Sequence, residues 1–142
     1  MNRVVNIYDW PHFVLSGDFD PAAITARLGI EPTFAMKVGT PIDGTDRTWG
    51  ASSWILACGD EEAGCDVQDQ MIFLLFQLEA CKAEVTSLCK EYRGDLNLFA
   101  CLDGSIPGFF LGSEILRKLA ELNVDVECKF VRSSEIRGEV KN

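Results

Sequence analysis

The chain has a single histidine, His12, in 142 residues, and that scarcity removes most catalytic arrangements at once. A Ser–His or Cys–His nucleophile pair, or a histidine-ligated metal, would have to use that one ring. It stands beside Pro11 at the edge of an expected strand, where its plain reading is an incidental surface residue. Cysteine is present at 58, 65, 81, 89, 101 and 128, yet no pair has the C-x-x-C spacing that a zinc knuckle or dithiol centre needs. Cys81 and Cys89 on one helix would lie about 12 Å apart along its axis, beyond the reach of a disulfide. The thiols are therefore expected to be free and to serve as small core hydrophobes, with no metal and no cofactor. Long apolar runs are missing too. The longest, Met71 to Phe76, is far too short to span a bilayer, and the segment Met1–Asn6 lacks the apolar stretch of a signal peptide. The expectation is a cytoplasmic chain with reduced thiols and no membrane role.

Positive charge is also in short supply. Thirteen Lys and Arg face 22 Asp and Glu, for a formal charge of −9. Nucleic-acid binding driven by counterion release needs clustered cations, so that class is set aside. The acids are spread through Asp18/Asp20, Asp60/Glu61/Glu62, Asp66/Asp69 and Glu121/Asp125/Glu127. Such a surface either keeps the chain soluble or steers it toward a basic protein partner.

What remains is globular. Hydrophobic residues make up 47% of the chain and charged ones 25%, enough to bury a core as one domain over 1–142, with a polar tail from about 132. Val4 to Asp18 reads as extended. Asp20 then offers a helix cap and Pro21 a first helical residue without a needed donor; Ile24 and Leu28 share a face, and Gly29 stops the helix ahead of Pro32. Short strands are expected at Phe34–Val38 and Thr48–Cys58, separated by a polar loop. From Val67 the apolar positions 71, 74, 75, 78, 81, 85, 88, 89 and 92 keep helical spacing, as one helix or two in near-register, ended by Gly94. Its first half is apolar almost all round, with Ile72, Phe73 and Phe76 added, which predicts the most buried helix. Leu96 to Leu102 alternates like a strand, Gly104 and Pro107 mark a turn, and Gly108–Leu111 is a short strand. Ser113 is expected to cap a helix ending near Asn123. Val124, Val126, Cys128 and Phe130 then face one way, for a strand with one wet face.

The order is β-α-β-β-α-β-β-α-β. It predicts an α+β fold, a mostly antiparallel sheet with helices on one face, ferredoxin-like through six elements with an added β-α-β.

Chemistry is thin. Gly39-Thr-Pro-Ile-Asp-Gly44-Thr45-Asp46 begins like a phosphate loop but puts Thr-Asp where a lysine and hydroxyl are required. Asp18 and Asp20 could act as paired carboxylates, though capping already occupies Asp20. Cations and aromatics concentrate only in Lys37, Arg47, Trp49 and Trp54. They could form an anion or small-ligand site with Arg47 as forked donor and tryptophan as wall; the plainer reading makes Trp54 core and Arg47 a loop cation.

Phe13-x-x-x-Gly17, then Asp20-Pro21-x-x-Ile24-Thr25-x-x-Leu28-Gly29-x-x-Pro32, Gly39 and a Ser-x-Trp54 strand resemble the bacterial family catalogued as domain of unknown function 4279. The similarity runs on through Asp69-Gln70 and the leucine-bearing helix to Leu111, Glu114 and Leu116. It implies a compact α+β bacterial domain; it implies no activity and supplies no catalytic residues. Two expectations follow. One is a non-catalytic binding module, in its sharpest form an immunity-type protein acting on a basic partner. The alternative is a small-ligand binder or enzyme using the Lys37–Trp54 region. Oligomeric state is not legible.

Overall fold

A computed structural model of the chain describes residues 11–58, 67–101 and 110–131. Along it run β1 (His12–Gly17), α1 (Pro21–Leu28), β2 (Phe34–Met36), β3 (Ser52–Ala57), α2 (Val67–Glu79), α3 (Lys82–Glu91), β4 (Arg93–Cys101), α4 (Ser113–Glu121) and β5 (Asp125–Val131). The fold is α+β: one mixed sheet in the order β2-β3-β1-β4-β5. The β1–β3, β1–β4 and β2–β3 pairs are antiparallel, and β4–β5 is parallel. Expected features at 4–10, 59–66, 102–109 and from 132 onward lie outside the described residues. Phe110 and Leu111, the described part of the expected 108–111 strand, belong to no strand.

Register explains the core. Phe13 stands opposite both Leu56 and Leu96, and Leu15 opposite Trp54. Strand side chains alternate in direction, so these residues and Leu98 share one face. Ile24 and Leu28 of α1, Met71, Leu74, Leu75 and Leu78 of α2, Val85 and Leu88 of α3, and Ile115 and Leu119 of α4 join them in a single buried cluster. The helix ends follow local chemistry. Asp20 Oδ1 accepts the Ala22 N–H at 3.1 Å, and Gly29 closes α1 at φ 70°. Asn123, at φ 62°, follows the end of α4.

Of the one or two helices expected over 67–92 the segment forms two: Cys81, at φ −126° and ψ 41°, interrupts it with no side-chain cap. Several other expectations are corrected. Gly94 does not end α3, which stops at Glu91 with Tyr92 as its extended cap; it lies inside β4. A Cβ there would run into Cys89 Sγ and come within 3.5 Å of the Phe13 ring, so glycine lets α3 ride close on the strand. Ser113 is the first helical residue, and Gly112 occupies the cap position with no side-chain bond. His12 is no edge residue: β1 is the central strand and His12 is 1% exposed, because pairing to Ala57 and Asn97 begins directly after Pro11. Val126 is 41% exposed on β5, the last strand of the sheet, so the apolar side of that strand is not dry.

The largest departure concerns α2. Its inner positions Met71, Leu74, Leu75 and Leu78 are buried as expected, yet Ile72, Phe73 and Phe76 are 51%, 42% and 78% exposed. A helix on a sheet can bury only one side and one flank, and α4 supplies the flank.

Candidate functional site

The residues singled out from sequence do not share one surface. Lys37, Arg47 and Trp49 belong to an excursion between β2 and β3, closed by Gly39 N–H to Trp49 O (2.8 Å), Trp49 N–H to Thr40 O (2.9 Å) and Ile42 N–H to Arg47 O (2.9 Å). Its tip turns at Gly44, φ 77°. Lys37 and Arg47 are exposed and Trp49 is half-buried. Trp54 has no exposure. It meets Phe13 edge to face at 6.3 Å and its Nε1–H donates to Thr25 Oγ1 at 3.0 Å. Trp54 is core, and no wall of an open pocket.

On the other sheet face His12 and Asp95 are buried, Asn97 is half-buried and Arg93 is exposed. His12 Nε2 lies 3.4 Å from Asn97 Nδ2. Arg93 Nε–H donates to Asp95 Oδ2 at 2.8 Å, while Asp95 Oδ1 and Asn97 Oδ1 are buried without a hydrogen-bond partner. Among the described residues, Cys58, Cys81, Cys89 and Cys128 take part in no disulfide. Burial pushes the Cys89 thiol up to about 12, aided by Asp125 and Asp95, and raises those of Cys81 and Cys128. Such thiols are poor nucleophiles at neutral pH. The described residues hold no group of three or more His, Cys, Asp or Glu placed to bind a metal, and no helix among them is long and apolar enough to cross a membrane.

A formed concavity lies elsewhere, between α2 and α4. It is a trough of about 290 Å³. Leu75 and Ile115, both buried, form its floor, and Ile72, Phe76 and Phe110 rise as its walls. Phe110 is 71% exposed. Polar contacts clasp both ends. At one, the Gly112 N–H donates to Gln68 Oε1 at 3.1 Å. At the other, Lys118 Nζ lies 3.2 Å from Glu79 Oε1 and 3.8 Å from Glu114 Oε1. The hydrogen bond to Glu79 leads the effects that hold the Lys118 ammonium above the ordinary lysine range. Gln68 and Glu79 stand about 16 Å apart along the α2 axis at the standard rise.

Sequence reasoning missed this trough because it read every apolar position of α2 as a burial signal. The available clue was width. A stripe at 71, 74, 75 and 78 already covers one helix face, and Ile72, Phe73 and Phe76 fall outside it.

A family model described as "Domain of unknown function (DUF4279)" matches residues 10–130. No curated protein and no solved structure gives a match.

Proposed function

The chain belongs to the DUF4279 family, a membership that brings no activity with it, and we propose from its geometry that it is a non-catalytic binding module docking a basic protein partner on the α2–α4 face. The carrying observation is the exposed apolar surface there. Ile72, Phe73, Phe76 and Phe110 together leave on the order of 450 Å² open, taking about 200 Å² for each full side chain. A standard interface buries roughly 800 Å² per partner, a little over half of it apolar. Those four side chains therefore carry the apolar content of a whole interface. The preference for a basic partner comes from the net charge of −9, which would steer association. Immunity-type protection against a basic protein is the sharpest form of this reading.

The reading without turnover is supported by the enclosure of His12 and the raised thiols. The alternative, a small-ligand site using Lys37, Arg47 and Trp49, keeps its exposed cations and loses the Trp54 wall. In the same reading the fold is ferredoxin-like with an added helix and strand. The sheet order β2-β3-β1-β4 supports it, with α2 and α3 together standing for the second helix.

A photo-crosslinking residue at position 76, introduced in cells that make the protein, tests the docking face. One discrete adduct is expected, lost when Phe110→Ser is added. Adducts no different from those of a crosslinker at Asp43, an exposed loop position, would set the reading aside. The partner's association rate should fall steeply as salt rises from about 0.05 to 0.5 M, because screening shortens the Debye length to a few Å.

A further inference from the structure

We infer that the occupant of the α2–α4 trough is a basic amphipathic helix of another protein, its apolar stripe seated between Phe76 and Phe110 and its cations against Glu79 and Glu114. This rests on the binding-module reading and names the chemistry of the partner.

Length, width and charge converge on it. A helix seats anchors at i, i+4 and i+7, which span about 10 Å, and these fit between the polar clasps of the trough. The walls are Ile72 and two exposed phenyl rings over a floor of Leu75 and Ile115, a surface that receives branched aliphatic side chains. At about 290 Å³ the trough is at or below the small end of pockets that enclose small molecules. Phe73, 42% exposed, lies outside its lining. A ligand confined to the trough would leave Phe73 bare, whereas a helix about 10 Å across covers both.

Charge separates the remaining candidates. Glu79 and Glu114 converge on a single ammonium, that of Lys118, so the rim is acidic on balance. The whole chain carries −9. A second copy would bring another −9 to the interface and be repelled, and an acidic helix would fare the same. A lysine- or arginine-flanked helix is attracted.

The test uses the whole chain and a fluorescent 14-residue peptide with leucine at helical 3/4 spacing and lysine elsewhere. Two controls accompany it: a twin with glutamate for lysine, and a scrambled peptide of the same composition. The basic helix should bind in the micromolar range and gain helicity by circular dichroism. Both controls should bind at least tenfold more weakly. Phe76→Ser and Phe110→Ser should each lose at least tenfold, with melting curves kept close to that of the parent to separate lost contact from lost fold. Glu114→Gln should cost severalfold, and Asp43→Asn, which removes the same charge from a distant exposed loop, less than twofold. Equal binding by the scrambled peptide, or indifference to Phe76→Ser, overturns the inference. So does a dimer in sedimentation that Phe76→Ser dissolves, which would make a second copy the occupant. Failure of the peptide while the position-76 adduct persists overturns the helical occupant and leaves the binding module standing. Loss of both overturns both.

Discussion

Two helix seams in this molecule are finished in opposite ways. Between α1 and α3, Arg27 reaches across to Glu84 at 2.9 Å, to Glu91 at 3.4 Å and to Ser87 Oγ at 3.4 Å. The hydrogen bond to Glu84 leads the effects that raise the Arg27 pKa above its ordinary value. That seam is closed with charge at the solvent boundary. Between α2 and α4 the described polar contacts lie at the two ends, with apolar side chains lining the trough between them. Surface ion pairs contribute little to stability but tolerate water well. Exposed phenyl rings also contribute little to stability but tolerate water poorly, and large exposed apolar patches are uncommon on a monomer except where something docks. The closed seam serves the fold, and the open one leaves apolar surface uncovered.

The contrast can be broken most severely at the floor they share with the core. Leu75→Ala should cost about 2–5 kcal/mol in denaturant titration, since Leu75 is 3% exposed. A loss below roughly half a kcal/mol would mean that α2 is docked by another face. Next comes the packing of α3 on the sheet. Gly94→Ala should cost about 1–3 kcal/mol by overpacking, and adding Cys89→Ala should recover much of it, because the two sites collide directly. Additive losses would remove that contact from the account.

How far these places were legible in the sequence follows from the range of the forces involved. Asp20, Pro21, Gly29 and Asn123 act within a turn of themselves, and each was read correctly as a helix punctuator. Ile24, Leu28, Leu75 and Leu88 follow a helical period set by one chain segment. Gly94 looked like a helix stop because its reason for being glycine, the Cys89 sulfur and the Phe13 ring, lies in tertiary packing. His12 looked peripheral because the strands that enclose it, at Ala57 and Asn97, come much later in the chain. The trough was least legible of all. Two helices from distant segments create it, and composition alone cannot say which apolar residues a fold leaves outside.

A smaller effect sharpens the α3 side through pH. The Cys89 thiol ionises near 9 when unconstrained and is pushed up to about 12 in the fold. The folded chain holds that proton more tightly, so the associated stability is complete below about 9 and is lost as pH rises toward about 12. Cys89→Ala should flatten the alkaline fall in urea titrations. An unchanged slope would assign the fall to other groups.

The smallest effects return to the two seams. Arg27→Ala should cost no more than about 1 kcal/mol, and less in high salt, because its partners are half exposed. Phe76→Ser should leave stability within about 0.5 kcal/mol while weakening binding of the basic helical peptide at least tenfold. If Phe76→Ser unfolded the chain instead, the open seam would be a structural one.

The central place of β1 also dictates a temporal order. Its two neighbours in the sheet are β3 and β4, and the contact from His12 to Asn97 spans 85 positions. While the chain emerges from a ribosome, β1 can be flanked on one side only after β3 appears and on the other only after β4. The β4 edge of β1 therefore stays unpaired long after β3 has become available to cover the other edge. Contacts of such long range also slow closure in free solution, since loop entropy opposes them before any burial is gained. The nascent protein is most open to wrong strand pairing during that interval, and its refolding should be limited by the arrival of β4 beside β1.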